Sequence, residues 1–170
     1  GAEVSTKHAN FIVNTGAAGL AAQRRVAGGL EDVLATLKEV FLAHAAVPVP
    51  GSRTCGMEAV ARQFATDQHV LVIRNGWFSF RWTQIFDAGR IPKSSTVLKA
   101  RRVSDTHQAA WVPAPIDEVV ATIARERPAV VFAPHVETAA GMILPDDYLR
   151  AVADAVHAVG GLFVLDCIAS

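Results

Sequence analysis

A carboxylate follows the last apolar run of the chain, Leu162-Phe163-Val164-Leu165-Asp166. A β-rich apolar run of this length is typical of a strand buried on both faces of a parallel sheet. Ligands of open α/β sheets bind at the carboxyl ends of such strands, so Asp166 is a candidate partner for a cationic ligand nitrogen. The alternative is that Asp166 caps the turn that follows the strand, which is the commoner role for an Asp at this position.

A loop of small and polar residues, Gly51-Ser52-Arg53-Thr54, precedes a predicted helix that ends at Phe64. Residues 46–50 before it are predicted to be extended, because each proline disfavours helical conformation in the preceding residue. The N–H groups of such a loop, together with the positive end of the helix, can bind phosphate. An ordinary strand-to-helix turn has the same composition, so the loop alone does not decide between the two.

Four aromatic residues follow the turn dipeptide Asn75-Gly76, namely Trp77, Phe78, Phe80 and Trp82. Core packing is the commoner role of such a group. A stacking platform for a planar ligand is the alternative.

The elements that must position these groups alternate between strands and helices. Buried strands are predicted at residues 69–74, 130–133 and 162–165, a shorter strand at 96–98, and helices at 19–44, up to 64, 77–88, 115–124 and 145–159. The alternation predicts an α/β fold, with a mostly parallel sheet and helices on both faces.

Composition excludes several classes of protein. A chain of 170 residues that is 51% hydrophobic predicts a buried core rather than disorder. Its 16 basic and 16 acidic residues cancel, so neither nucleic acid nor an anionic membrane is expected as a partner. Cys55 and Cys167 do not suggest a disulfide framework, which favours a cytoplasmic location. No apolar run is long enough to span a bilayer, and no metal site is predicted.

Two motifs resemble one enzyme family: Glu137-Thr138-Ala139-Ala140-Gly141 and, one helix later, Leu165-Asp166-Cys167-Ile168-Ala169-Ser170. Together they resemble the class V aminotransferases of the serine–pyruvate and alanine–glyoxylate type, which are pyridoxal 5'-phosphate enzymes of fold type I. The resemblance extends from about Val47 to Ser170. It implies that Asp166 pairs with the protonated pyridine nitrogen, that Ile168 packs on one ring face, and that Thr138 lies near the phenolic oxygen.

The resemblance also gives roles to the loop and to the aromatic group. It implies that Phe78 stacks on the ring face opposite Ile168. Ser52, Arg53 and Thr54 occupy the positions of the phosphate-binding loop. Most relatives have glycine where Arg53 stands, and Arg53 either adds a cation toward the phosphate or disturbs the loop. Asp166 is the implied catalytic carboxylate, because an opposite charge keeps the ring nitrogen protonated.

The implied activity is transfer of an amino group from a small amino acid, such as serine or alanine, to a 2-oxo acid or glyoxylate, in a homodimer. A pyridoxal-phosphate lyase or desulfurase of the same fold and a noncatalytic α/β module are the alternatives. The family's cofactor-binding lysine follows the Asp motif by a little over one strand and loop, and no lysine here matches its motif. We therefore expect an amino-terminal segment, residues 1–25, and an incomplete cofactor-binding large domain, residues 26–170, which alone is inactive.

Overall fold

The computed structural model describes residues 10–13 and 30–169. Its helices are α1 (Leu30–Val40), α2 (Arg53–Phe64), α3 (Trp77–Gly89), α4 (Ile116–Glu126) and α5 (Asp146–Ala158). Its strands are β1 (Asn10–Val13), β2 (His69–Arg74), β3 (Ser94–Lys99), β4 (Arg101–Arg102), β5 (Trp111–Val112), β6 (Val130–Pro134), β7 (Val136–Glu137), β8 (Met142–Ile143) and β9 (Leu162–Asp166). A single 3-10 turn, Thr138–Ala140, separates β7 from β8 in this part of the chain.

The main sheet is parallel and has the strand order β1-β9-β6-β2-β3. β9 lies between β6 and β1, so the carboxyl end of β9 is inside the sheet rather than at its side. Pro134, the last residue of β6, pairs with Asp166, the last residue of β9. The two strands therefore end level with each other, at the edge where an open α/β sheet binds ligands.

Both faces of this sheet are covered by helices. On one face, Val72 of β2 and Phe132 of β6 pack into a core that includes residues of α2 and α3. On the other face, Leu71 and Val131 pack with residues of α4 and α5. Burial on both faces explains why these strands read as continuous apolar runs without polar alternation. The predicted α/β class with a mostly parallel sheet is confirmed.

The face to which Asp166 points follows from its place in β9. Side chains two residues apart in a strand lie on the same face of the sheet. Val164 belongs to the core on the side of α2 and α3. Asp166 therefore points to that side, where the loop before α2 and the aromatic residues of α3 begin.

Several boundaries differ from the sequence predictions. The first helix ends at Val40 instead of residue 44, and its predicted part before residue 30 lies outside the described residues. Residues 46–50, predicted to be extended, belong to no helix and no strand, which fits a segment whose prolines lack the N–H that a sheet ladder needs. The antiparallel pair β4–β5 was not predicted, because each strand has only two residues. Helix α5 ends as predicted, with Gly160 in the left-handed region at φ 79°.

The predicted segment 1–25 is described only at β1, and the division of the chain at residue 25 stays a prediction. None of the helices in the described ranges is long and apolar enough to cross a membrane.

Candidate active site

Asp166 forms a nearly buried ion pair at the carboxyl end of β9. Its side chain is 2% exposed, and its Oδ2 lies 2.6 Å from Nη2 of Arg53. Its Oδ1 accepts a hydrogen bond from the backbone N–H of Ile168 at 3.3 Å. The carboxylate is thus held in one orientation and balanced by one cation, as a buried charge requires.

Arg53 reaches this carboxylate from the first residue of α2. Its Nη2 also donates to the carbonyl oxygen of Phe78 at 3.4 Å. Its Cζ lies 4.8 Å from the centre of the Phe78 ring, which is cation–π distance. The fold therefore brings together Arg53, Phe78, Asp166 and the backbone of Ile168.

Glu137 anchors the segment that carries Phe78. This side chain is buried, with 1% of the residue exposed. It accepts hydrogen bonds from the N–H groups of Phe78 at 2.8 Å and Ser79 at 3.0 Å, and from the Ser79 hydroxyl at 2.7 Å. A carboxylate at the amino end of α3 satisfies N–H groups that have no partner inside the helix and lies at the positive end of the helix dipole.

Gly76 allows this contact because it has no side chain. A Cβ at this position would lie 2.7 Å from Glu137 Cγ and 2.8 Å from Glu137 Cδ. Ser79 completes the arrangement, because its hydroxyl accepts hydrogen bonds from the N–H groups of Asn75 and Gly76. The turn Asn75-Gly76, predicted from its composition, is thus shaped to admit a carboxylate from β7.

The roles of Glu137, Gly76 and Ser79 were not predicted from the sequence. The sequence did contain a signal that Glu137 has a partner. Glu137 is a charged residue that follows the buried run 130–133, and a charge that is buried must be paired or hydrogen-bonded. The identity of that partner had no local signal, because α3 begins about sixty positions earlier in the chain.

The remaining predicted site residues lie at two places near this centre. Ser52 is exposed directly before α2, and its hydroxyl donates to Cys55 Sγ at 3.5 Å, which lowers the pKa of that thiol. Thr54 is half-buried in the first turn of α2. Thr138 is exposed at the start of the 3-10 turn, directly after Glu137. Their roles stay predictions.

The aromatic group divides between core and surface. Trp82 is fully buried, and its ring centre lies 4.5 Å from that of Phe132. Trp77 is 59% exposed, and Phe80 lies under the guanidinium of Arg74 at 5.0 Å. The prediction of core packing is therefore correct for Trp82. Among the described side chains of this aromatic group, only that of Phe78 contacts Arg53.

Two solved structures are similar to this fold. The ureidoglycine–glyoxylate aminotransferase of Bacillus subtilis matches with a TM-score of 0.62 and 25% identity, over 80% of this chain and 33% of that one. The alanine–glyoxylate aminotransferase of a Nostoc species matches with a TM-score of 0.59 and 22% identity, over 81% of this chain and 34% of that one. No protein-family model matches the chain, and no curated protein sequence does.

The fold is that of part of a class V aminotransferase. The resemblance inferred from the two motifs is confirmed at this level. The chain spans about a third of the length of each of the two matching enzymes.

The residues present fit pyridoxal 5'-phosphate, the cofactor that the family implies. Asp166 is a buried carboxylate that takes a cation, and Phe78 offers its ring face to a planar cation at the same place. The first turn of α2 contains no acidic residue, so its N–H groups can receive an anion. In the described part of the chain, no group of three or more His, Cys, Asp or Glu side chains is arranged to hold a metal ion.

Proposed function

We propose that this chain is part of a pyridoxal-phosphate-dependent aminotransferase. Its substrates are a small amino acid of the serine or alanine type and a 2-oxo acid or glyoxylate. The observation that carries the proposal is the buried carboxylate of Asp166, which ends an interior strand and faces a planar cation over an aromatic ring. The similarity to two glyoxylate aminotransferases supports the reaction class.

Bound pyridoxal phosphate supplies a protonated ring that accepts the electrons of the bond broken at the substrate Cα. Asp166 would keep the ring nitrogen protonated, because an opposite charge within a few ångströms favours the cationic form. The N–H of Ile168 orients that carboxylate. Phe78 and the Ile168 side chain form the two walls of the ring site.

Ser52, Arg53 and Thr54 form the phosphate-binding segment of the proposed site. Their backbone N–H groups, at the amino end of α2, would receive the phosphate. Thr138 would hold the phenolic oxygen. Glu137 would act on Phe78 indirectly, by fixing the backbone from which its ring projects.

The wider assignments are inferences from the family. We propose a homodimer located in the cytoplasm, with the lysine that binds the cofactor outside the motifs seen here. These proposals concern the whole enzyme, because the matched part of this chain covers only 33% and 34% of the two matching enzymes.

Asp166→Asn in the full-length protein tests the assignment. The amide keeps the shape of the side chain but removes its charge, so transaminase activity should fall by a factor of about 100 or more. Activity is measured as amino transfer from alanine or serine to glyoxylate or pyruvate. Circular dichroism and urea denaturation establish that the variant is folded.

Asp154→Asn is the matched control, because Asp154 is an exposed carboxylate on α5. It should leave the activity unchanged. Full activity of a folded Asp166→Asn protein would reject the role of Asp166. Release of ammonia or sulfide without amino transfer would identify a lyase or desulfurase instead.

A further inference from the structure

Arg53 lies where the proposed site expects the cofactor ring. Its guanidinium is planar and cationic, like a protonated pyridine ring. It contacts the Asp166 carboxylate at 2.6 Å and lies over the Phe78 ring at 4.8 Å. These are two of the features that would recognise the ring, so guanidinium and ring require the same space and the same charge partner.

The arginine is needed when no cofactor is bound. Asp166 is 2% exposed, and an isolated carboxylate at this depth is strongly disfavoured. The ion pair with Arg53 removes that penalty, while the N–H of Ile168 satisfies only one oxygen of the carboxylate. Arg53 thus stabilises the cofactor-free site.

The arginine is also an imperfect partner. Its hydrogen bonds to Asp166 and to the carbonyl oxygen of Phe78 are both made by the same nitrogen, Nη2, so the two-nitrogen fork that makes arginine–carboxylate pairs strong is not used. Its Nε is buried, and no acceptor for it lies among the described residues. A ligand cation that pairs with Asp166 can therefore replace Arg53 without breaking a fully satisfied network.

We propose that Arg53 is an internal competitor of the cofactor: it neutralises Asp166 in the cofactor-free protein and must be displaced when pyridoxal phosphate binds. The inference rests on the proposed function. Competition of this kind lowers the apparent affinity for the ring by the stability of the internal pair.

Arg53→Met tests the competition, because methionine keeps much of the aliphatic stem and removes the charge. The ligand is pyridoxal, which has the ring but no phosphate, so any contact between Arg53 and a phosphate does not enter the measurement. Quenching of tryptophan fluorescence in the cofactor-free, full-length protein reports binding. The variant should bind pyridoxal at least about tenfold more tightly than wild type.

Arg62→Met is the matched control. Arg62 lies on the same helix as Arg53, and its substitution removes the same charge. Its ion pair is solvent-exposed, with Nη2 at 2.7 Å from Oε1 of Glu58. The Arg62→Met protein should bind pyridoxal with the same affinity as wild type. Unchanged or weaker binding by Arg53→Met, with Arg62→Met as wild type, would overturn the inference.

A double-mutant cycle supplies a second readout that does not depend on activity. Without cofactor, Arg53→Met and Asp166→Asn should be coupled in the urea midpoint of unfolding, and saturating pyridoxal phosphate should remove the coupling. Coupling that persists with bound cofactor would contradict displacement. If Arg53→Met does not fold, Arg53→Gln replaces it, because glutamine can donate to Asp166 without a charge.

The two proposals fail in different ways. If wild type binds pyridoxal phosphate and Arg53→Met gains no affinity for pyridoxal, only the competition is wrong. If neither protein binds pyridoxal phosphate, the proposed function is wrong and the competition fails with it.

Discussion

At the scale of single residues, two buried carboxylates lie near the same edge of the sheet and are stabilised in different ways. Asp166 is paired with Arg53, whose long cationic side chain can change rotamer. Glu137 is paired with fixed partners, the N–H groups of Phe78 and Ser79 at the start of α3. A carboxylate with a replaceable partner suits ligand binding, whereas one held by backbone suits positioning.

Glu137→Gln should lower the free energy of unfolding by about 2 kcal/mol or more, because the amide offers one acceptor oxygen to three donors and leaves buried N–H groups unpaired. Urea denaturation measures the change. Glu58→Gln is the control, since Glu58 belongs to an exposed ion pair and its loss should cost about 0.5 kcal/mol or less. Equal losses for both variants would show that Glu137 does not anchor α3.

At the scale of elements, Glu126 ties the end of α4 to the strands it covers. Its Oε2 accepts a hydrogen bond from the Thr96 hydroxyl of β3 at 2.6 Å and lies 3.3 Å from His69 Nε2 of β2. Arg125 Nη2 donates to its Oε1 at 2.8 Å. The hydrogen bond from Thr96, followed by that from Arg125, holds the pKa of Glu126 below its usual 4.5.

Thr96→Val should reduce stability in a pH-dependent way. A carboxyl whose pKa is lowered by folding stabilises the protein above its unfolded pKa, and this contribution disappears as the pH falls through the lowered value. The variant should therefore be less stable than wild type by about 1 kcal/mol at neutral pH. The difference should shrink as the pH falls below 4.5, the usual pKa of Glu126.

The measurement is urea denaturation at a series of pH values. In a Glu126→Gln background, Thr96→Val should change the free energy of unfolding by an amount that does not vary with pH, because the carboxyl that Thr96 contacts is then an amide. If Thr96→Val gives a stability difference that is also constant with pH in the wild-type background, Thr96 does not affect the ionisation of Glu126.

At the scale of the whole molecule, the sheet is the middle layer of three. Val72 and Val131 lie on neighbouring strands, and both are fully buried, but they belong to cores on opposite faces. A sheet with one face open to water would bury only one of them. The two cores hold the carboxyl ends of β2, β6 and β9 level, and this alignment brings α2 and α3 to Asp166.

Val72→Ala and Val131→Ala should therefore each lower the free energy of unfolding by about 2 kcal/mol, from lost burial and the cavity left behind. Val103→Ala is the matched control, because Val103 is 58% exposed, and should cost about 0.5 kcal/mol or less. Urea denaturation compares the three. If either buried-valine variant loses no more free energy of unfolding than Val103→Ala, the face of the sheet on which that valine lies does not form a packed core.

Much of the fold was predictable because its signals are local. The run 69–74 coincides with β2, and Gly160-Gly161 marks the end of α5, since burial on both faces and helix termination each leave a pattern within a few residues. The position of Asp166 at a strand end was readable for the same reason. Strands of two residues, such as β4 and β5, carry too little pattern to be predicted.

By itself, then, the sequence determined the alternation of strands and helices and the carboxylate that ends β9. Only the tertiary structure decided what that carboxylate touches. Arg53 and Asp166 are 113 positions apart, and Glu137 and Phe78 are 59 apart. Such contacts depend on how helices pack over the sheet, and no periodicity or composition within either segment records them.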